Sequence, residues 1–119
     1  MSLCVDVVVR GPNGEFDVLD VPEGVNDSAG FESWRQKVWG SQAVRSLGAC
    51  FLPLVDGDWM EVTTEDLPLL LDEILLLRAH LDQIAAAAGV HPSGIDDRLD
   101  NIEAAALRAR RIGAHVLIW

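Results

Sequence analysis

The sequence predicts an α+β domain, in which a mainly antiparallel sheet of about five strands carries two longer helices on one face. Valines alternate with other residues near the start of the chain, and two turn dipeptides typical of hairpins follow. Two long apolar stripes at helical spacing occupy the second half. The predicted order of elements is ββ-α-ββ-α-α-β.

The first hairpin is predicted at the start of the chain. Hydrophobic residues recur at alternate positions from Leu3 to Arg10, and four of the residues are valines, which favours a strand. Asn13-Gly14 is a strong turn signal, and residues 15–21 are the predicted return strand. Residues 22–30 are rich in turn-forming residues, so we predict a loop there.

The middle of the chain is predicted to hold one or two short helices and a second hairpin. Apolar residues recur at helical spacing in residues 31–48, and Ser41 can cap a second short helix after the break at Gly40. Residues 51–55 and 59–62 are the predicted strands of the second hairpin, with Asp56-Gly57 at its turn.

Both long helices are predicted in the second half. The first begins at Thr63 or Thr64, where Asp66 completes a capping box with Thr63, and it runs unbroken to Gly89. Ser93 and a carboxylate three residues later repeat the capping pattern for the last helix, which residue 113 ends.

The final segment, residues 115–119, is an apolar strand that we expect to insert beside another strand. The apolar faces of all these elements define a predicted core. Its members are Val7, Leu52, Ile74, Leu81, Leu99, Ile102 and Leu117.

The length and charge of the chain limit what it can be. With 119 residues, it is expected to form a single domain over residues 1–119. Half of the residues are hydrophobic, which excludes a largely disordered protein. Nineteen acidic and nine basic residues give a formal net charge of -10, which disfavours nucleic acid and anionic membranes and favours basic proteins as partners.

Residues that could act as metal ligands or nucleophiles form no recognisable constellation. His80, His91 and His115 are far apart and lack the spacing of metal ligands. Cys4 and Cys50 have apolar neighbours, so we interpret both as reduced core residues. We therefore predict no metal, no cofactor and no enzymatic activity.

Two groups of carboxylates are the candidate partner-binding residues, because clustered carboxylates complement a basic surface and accelerate encounter. The first group surrounds the second predicted turn and consists of Asp56, Asp58 and Glu61. The second group lies at the start of the last helix and consists of Asp96, Asp97 and Asp100. The alternative is that these residues serve only solubility and the helix dipole.

Trp34 and Trp39 are the remaining candidate partner-binding residues. On a continuous α-helix, residues five positions apart are rotated by about 140°, so these rings cannot share one narrow face. One is expected to face the core, and the other is either in the core or exposed to a partner. Trp59 and Trp119 are expected in the core.

The predicted long helix has more leucines than one buried face requires. Leu69, Leu71, Leu75 and Leu76 lie beside its main stripe. They are either covered by the sheet and the last helix, or they form the face of a homodimer.

Three stretches resemble small acidic single-domain proteins of actinobacteria: Trp39-Gly40-Ser41, residues 47–53 and residues 113–119. Some of those proteins lie beside secreted toxins and are regarded as immunity proteins. The resemblance and the charge imply a non-enzymatic protein that binds another protein and neutralises a basic toxin. The alternative is a small-molecule-binding or regulatory domain, dimeric or not. Without an export signal or a long apolar run, a cytoplasmic location is expected.

Overall fold

The sheet of this protein has five antiparallel strands in a computed structural model that describes residues 2–119. They are β1 (Ser2–Arg10), β2 (Phe16–Val18), β3 (Ser28–Phe31), β4 (Met60–Val62) and β5 (His115–Ile118). The sheet order is β2-β1-β5-β4, and β3 also pairs with β1. The predicted α+β class and antiparallel sheet are therefore confirmed.

Helices cover one face of the sheet. The α-helices within the described residues are α1 (Gln42–Arg45), α2 (Leu67–Arg78), α3 (Leu81–Ala88) and α4 (Pro92–Ile112). A π-helical turn spans Arg35–Trp39, and 3-10 turns span Leu52–Val55 and Thr64–Asp66. Helix α4 packs on β1, β3 and β5, and α2 and α3 pack against α4. None of the helices in residues 2–119 has the length and apolar character needed to cross a bilayer.

Strands β2 and β3 lie end to end along the same edge of β1. β2 pairs with residues 8–10 of β1, and β3 pairs with residues 2–4. Gly14, with φ of 82°, makes the predicted turn of the first hairpin. The prediction of a loop over residues 22–30 is wrong at its end, where β3 begins. The edge of β1 has backbone groups that need partners, and the returning chain supplies them: the Val5 amide donates to the Asp27 carbonyl (2.8 Å).

The last strand, β5, lies between β1 and β4, as its apolar sequence predicts. Val5 is opposite Ile118, and Met60 is opposite Ile118 on the other side. The side chains of Val116 and Ile118 are buried under the helices, where they join the main core. The first and last strands of the described chain therefore form the centre of the sheet.

The predicted second hairpin is wrong in its first strand. Residues 52–55 form a 3-10 turn, and β4 pairs with β5 instead. Glu73 of α2, which is buried, accepts the backbone amides of Cys50 (2.5 Å), Phe51 (3.0 Å) and Leu52 (2.8 Å). Because these amides are used by a side chain, they are unavailable to a strand partner. Asp56-Gly57 still forms a turn, with φ of 90° at Gly57.

The predicted unbroken helix is divided into α2 and α3 at His80. In a continuous helix, the His80 amide would donate to the Leu76 carbonyl. The amide donates to the Leu77 carbonyl instead (3.0 Å), and the His80 Nδ1 lies 3.0 Å from the Leu76 oxygen. The imidazole thus takes the place of the backbone donor, and the helix is interrupted here.

One of the three predicted caps is confirmed. The Ser41 hydroxyl accepts the Val44 amide at the start of α1 (3.2 Å). The Thr63 side chain makes no capping bond, and Thr64 donates its hydroxyl to the Ala114 carbonyl (2.6 Å). The Ser93 cap is also wrong: Pro92 begins α4, and the cap is His91, whose Nδ1 accepts the Ser93 amide (3.1 Å).

Most of the predicted core is confirmed. The exception is Leu81, which is only half-buried because it begins α3 directly after the helix break. Cys4 is half-buried and Cys50 is exposed, so the interpretation of both cysteines as core residues is wrong, although both are free thiols. The confirmed residues are Val7, Leu52, Ile74, Leu99, Ile102 and Leu117.

Candidate binding site

The outer face of the sheet, which is turned away from the helices, has a small apolar layer of its own. Val8 and Leu117 are fully buried although they lie outside the main core. An ion pair between Arg10 of β1 and Glu61 of β4 (2.8 Å) crosses the intervening β5. Glu61 also contacts the His115 Nδ1 (2.7 Å). Polar side chains thus bridge this face at one end.

Next to this ion pair, a groove of about 580 Å³ opens beside the sheet. Trp59 and Trp119 lie in its wall with 45% and 46% of their surfaces exposed. The Phe16 ring meets the Trp59 ring edge to face, with centroids 5.3 Å apart. The residues that line the groove are Phe16, Glu32, Arg35, Gly57, Asp58, Trp59 and Trp119.

Trp119 separates this groove from a second hollow of about 440 Å³. Its indole N–H donates to the Asp6 carboxylate (2.8 Å), which fixes the ring over the outer face. Ser2, Cys4 and Asp6 line the second hollow, together with residues shared with the groove. Burial, followed by the charge of nearby Asp27, raises the pKa of the Cys4 thiol, so Cys4 is not an activated nucleophile.

Arg35 forms the polar wall that both hollows share. Its Nε donates to Glu32 (2.6 Å), and its Nη1 donates to the carbonyls of Val55 (2.9 Å) and Asp58 (2.6 Å). The guanidinium therefore joins the π-helical turn to the loop before β4. Asp6, Glu32 and Asp58 are three carboxylates against this one guanidinium, so negative charge prevails around both hollows.

The first predicted acidic group lies beside the groove. Asp58 lines it, and its Oδ1 accepts the Trp59 amide (2.8 Å). Asp56 pairs with Arg45 (3.3 Å). The hydrogen bond from Arg10, helped by His115, lowers the pKa of Glu61. Of the three, Asp58 is the carboxylate without an ion pair in the described part of the chain.

The second predicted acidic group lies on α4, on the helical side of the sheet. Arg78 of α2 pairs with Asp96 (3.3 Å), with Asp100 and with Glu103 (3.1 Å). Asp97 is exposed. These carboxylates therefore join α2 to α4, and the structure separates them from the aromatic groove.

Trp34 and Trp39 are both buried, so the alternative in which one is exposed to a partner is wrong. The chain forms a π-helical turn here, in which the Gly40 amide donates to the Arg35 carbonyl (2.9 Å). Because this turn closes over five residues, residues five apart share a face, and the rings lie 5.9 Å apart. Gly30, with φ of 117°, leaves room for the Trp34 ring.

Trp59 and Trp119, expected in the core, are the exposed pair. Their positions carry a signal for this, since a strand alternates its faces. Trp59 is two residues before the polar Glu61, so the two side chains lie on the same face. Trp119 shares its face with Leu117, which is opposite the polar residues Asp6 and Glu61 in the sheet. The position of Arg35 in the groove wall depends on the tertiary fold, and no pattern in the sequence indicates it.

The extra leucines of α2 are divided. Leu69 and Leu75 are more than half exposed, whereas Leu71 and Leu76 are partly covered.

In residues 2–119, His, Cys, Asp and Glu side chains form no group of three or more suited to holding a metal ion.

Comparisons with protein-family models, with curated proteins and with solved structures found no match to this chain. The resemblance to actinobacterial immunity proteins therefore rests on the three short stretches alone.

Proposed function

We propose that this protein is a non-enzymatic cytoplasmic domain that binds a basic protein on the outer face of its sheet. A toxin domain that an immunity protein neutralises is a partner of this kind. The observation that carries the proposal is the pair of half-exposed tryptophans, Trp59 and Trp119, in a groove with a carboxylate-rich border.

Exposed tryptophans are costly to leave in water and effective in an interface. Tryptophan is enriched among the residues whose truncation weakens complexes most, particularly near the centre of a contact surface. Trp119 is held in place by Asp6, and Trp59 packs against Phe16. Because both rings are already ordered, covering them in a complex costs little of their side-chain entropy.

The charge of the surface indicates the sign of the partner. The whole chain carries a formal charge of -10, and the groove and the hollow beside it are together lined by three carboxylates and one neutralised guanidinium. Such a surface attracts a basic partner and accelerates its encounter. Asp58 is the residue on which this charge complementarity mainly depends, because it borders the groove and makes no ion pair within residues 2–119.

A small-molecule-binding or regulatory domain is the second candidate. The groove volume of about 580 Å³ favours it, since small-molecule sites commonly span 300–1,000 Å³, on the order found here. The groove lies open at the sheet surface, as expected of a docking surface, whereas a small-molecule site buries most of its ligand.

The test uses the natural host, with wild-type protein and a Trp59→Ser/Trp119→Ser variant as parallel baits. We expect a basic protein to be held by the wild type and released by the variant. The purified complex should then form more slowly as ionic strength rises. A partner that is acidic, or one that binds both baits equally, would contradict the proposal. Recovery of a bound metabolite instead would support the second candidate.

A further inference from the structure

We propose that the groove receives an arginine side chain of the partner, with its guanidinium against the rings of Trp59 and Trp119. This inference rests on the proposed function, because it names the chemical group that the outer face recognises. Aromatic rings, free carboxylate oxygens and net negative charge in this groove and the hollow beside it are the three observations that carry it.

The protein already stacks its own guanidinium groups on aromatic rings, once beside the groove at Phe16 and once in the core at Trp34. The Arg10 guanidinium carbon lies 4.4 Å from the centre of the Phe16 ring, and Arg98 lies 5.5 Å from that of Trp34. Phe16 is therefore occupied on one face. Trp59 and Trp119 have no such cation among the described residues, although tryptophan attracts a cation more strongly than phenylalanine does.

The polar atoms of the groove suit a donor and not an acceptor. Arg35 already donates to Glu32 and to two carbonyls, so its charge is balanced within the protein. Asp58 of the groove uses one oxygen for the Trp59 amide, and Asp6 of the hollow beside it uses one for the Trp119 indole. The second oxygen of each carboxylate has no partner within residues 2–119 and can accept from a ligand.

An arginine meets these requirements better than a lysine does. Its guanidinium is planar and weakly hydrated, so it can stack on an indole while its edge donates to a carboxylate. A lysine ammonium is more strongly hydrated and presents a point charge. A neutral side chain of the same shape would keep the stacking and lose the attraction of the carboxylates.

The experiment titrates the intact protein with the peptide acetyl-Gly-Gly-Arg-Gly-Gly-amide and with its citrulline counterpart, at equal ionic strength. Citrulline keeps the planar shape and lacks the charge. The indole N–H signals of all four tryptophans are followed by NMR, and the buried Trp34 and Trp39 serve as internal references. We expect saturable shifts at Trp59 and Trp119 with the arginine peptide, and roughly tenfold weaker binding of the citrulline peptide.

Asp58→Asn and Asp97→Asn form a matched pair of variants, because each removes one exposed carboxylate and only Asp58 lines the groove. Asp58→Asn should weaken arginine binding about threefold or more, and Asp97→Asn should leave it unchanged. Trp59→Leu should weaken binding further, with its fold checked through the unchanged signals of Trp34 and Trp39.

Equal affinity for both peptides, or equal effects of the two aspartate variants, would overturn the inference. So would the absence of shifts at Trp59 and Trp119. The proposed function is tested separately: a basic protein that docks on the groove while the arginine peptide does not bind would retain it. Selective binding of the arginine peptide without any basic protein partner would support the inference and contradict the proposed function.

Discussion

Glu73 accepts the backbone amide of Leu52 at 2.8 Å, although the two residues are 21 positions apart. The same side chain also accepts the amides of Cys50 and Phe51, so one residue of α2 holds the start of the 52–55 turn. That turn leads into the loop that carries Asp58 and Trp59. The shape of the groove therefore depends on a side chain outside it.

Replacing Glu73 with alanine should lower the free energy of unfolding by about 3 kcal/mol, because one buried amide and two partly buried amides would lose their acceptor. Glu73→Gln keeps one acceptor oxygen and should cost less. Urea denaturation measures both values. A loss below about 1 kcal/mol for Glu73→Ala would show that water replaces the carboxylate.

Leu77→Ala and Leu81→Ala should differ in cost, although both positions lie on one apolar stripe of the sequence. Leu77 is fully buried, so its truncation should cost about 2–5 kcal/mol. Leu81, half-buried after the break at His80, should cost about 1–2 kcal/mol. Equal costs in chemical denaturation would indicate that α2 and α3 form one continuous helix in solution.

Arg78→Ala should lower the free energy of unfolding by about 1–2 kcal/mol, because it removes the contact from α2 to Asp96, Asp100 and Glu103. Added salt should reduce this difference. Asp97→Asn, on the same helix, is the control and should change stability little. Denaturation curves in low and high salt compare them, and an equal effect of the two variants would contradict the role of Arg78.

Glu61 should make stability depend on pH in the acid range. Arg10 lowers the pKa of Glu61 in the folded protein, so its contribution is present above the ordinary carboxyl pKa of 4.5. The contribution is lost as pH falls through the lowered value. The difference in unfolding free energy between wild type and Glu61→Gln should therefore shrink as pH falls below about 4.5. A difference that is constant down to strongly acid pH would contradict the ion pair.

Neutralising the two acidic groups should have different effects on association with the partner. Changing Asp56 and Asp58 to Asn, with Glu61 to Gln, should slow association with the basic partner, because Asp58 lines the groove and Asp56 lines a smaller hollow next to it. The second variant changes Asp96, Asp97 and Asp100 to Asn; it should mainly lower stability, through Arg78.

The on-rate of each triple variant is to be measured against ionic strength, with folding checked in parallel. Charge steering acts over about 8 Å at physiological salt, so it weakens as salt rises. An on-rate that is independent of salt and unchanged in both variants would assign these carboxylates to solubility.

Local periodicity predicts the parts of this fold that local forces decide. The alternation in β1, the Asn13-Gly14 turn, the apolar face of α4 and the apolar β5 are all visible in the sequence. The errors occur where a distant or unusual partner competes for the backbone. Glu73 takes the amides of a predicted strand, and the imidazole of His80 interrupts a predicted helix.

The candidate site was harder to predict than the fold. Asp58 is among the residues that the sequence predicts, whereas the exposed tryptophans are Trp59 and Trp119, for which the sequence favours the core. The reason is the π-helical turn at 35–39, which brings Trp34 and Trp39 to one face and has no clear mark in the sequence. Arg35 joins the site only through contacts with residues 20 and 23 positions away.

The placement of β5 beside β1 has a consequence for how the chain folds. Val5 and Ile118 are neighbours in the finished sheet, yet 112 residues lie between them, so their pairing closes a very long loop. Pairing across such a separation is slow compared with helix formation. During synthesis, the valine-rich edge of β1 stays open until β5 has been made, and in that interval it can pair with the wrong strand. The helices and the β1–β2 hairpin can form before then, and the arrival of β5 completes the face that carries Trp119.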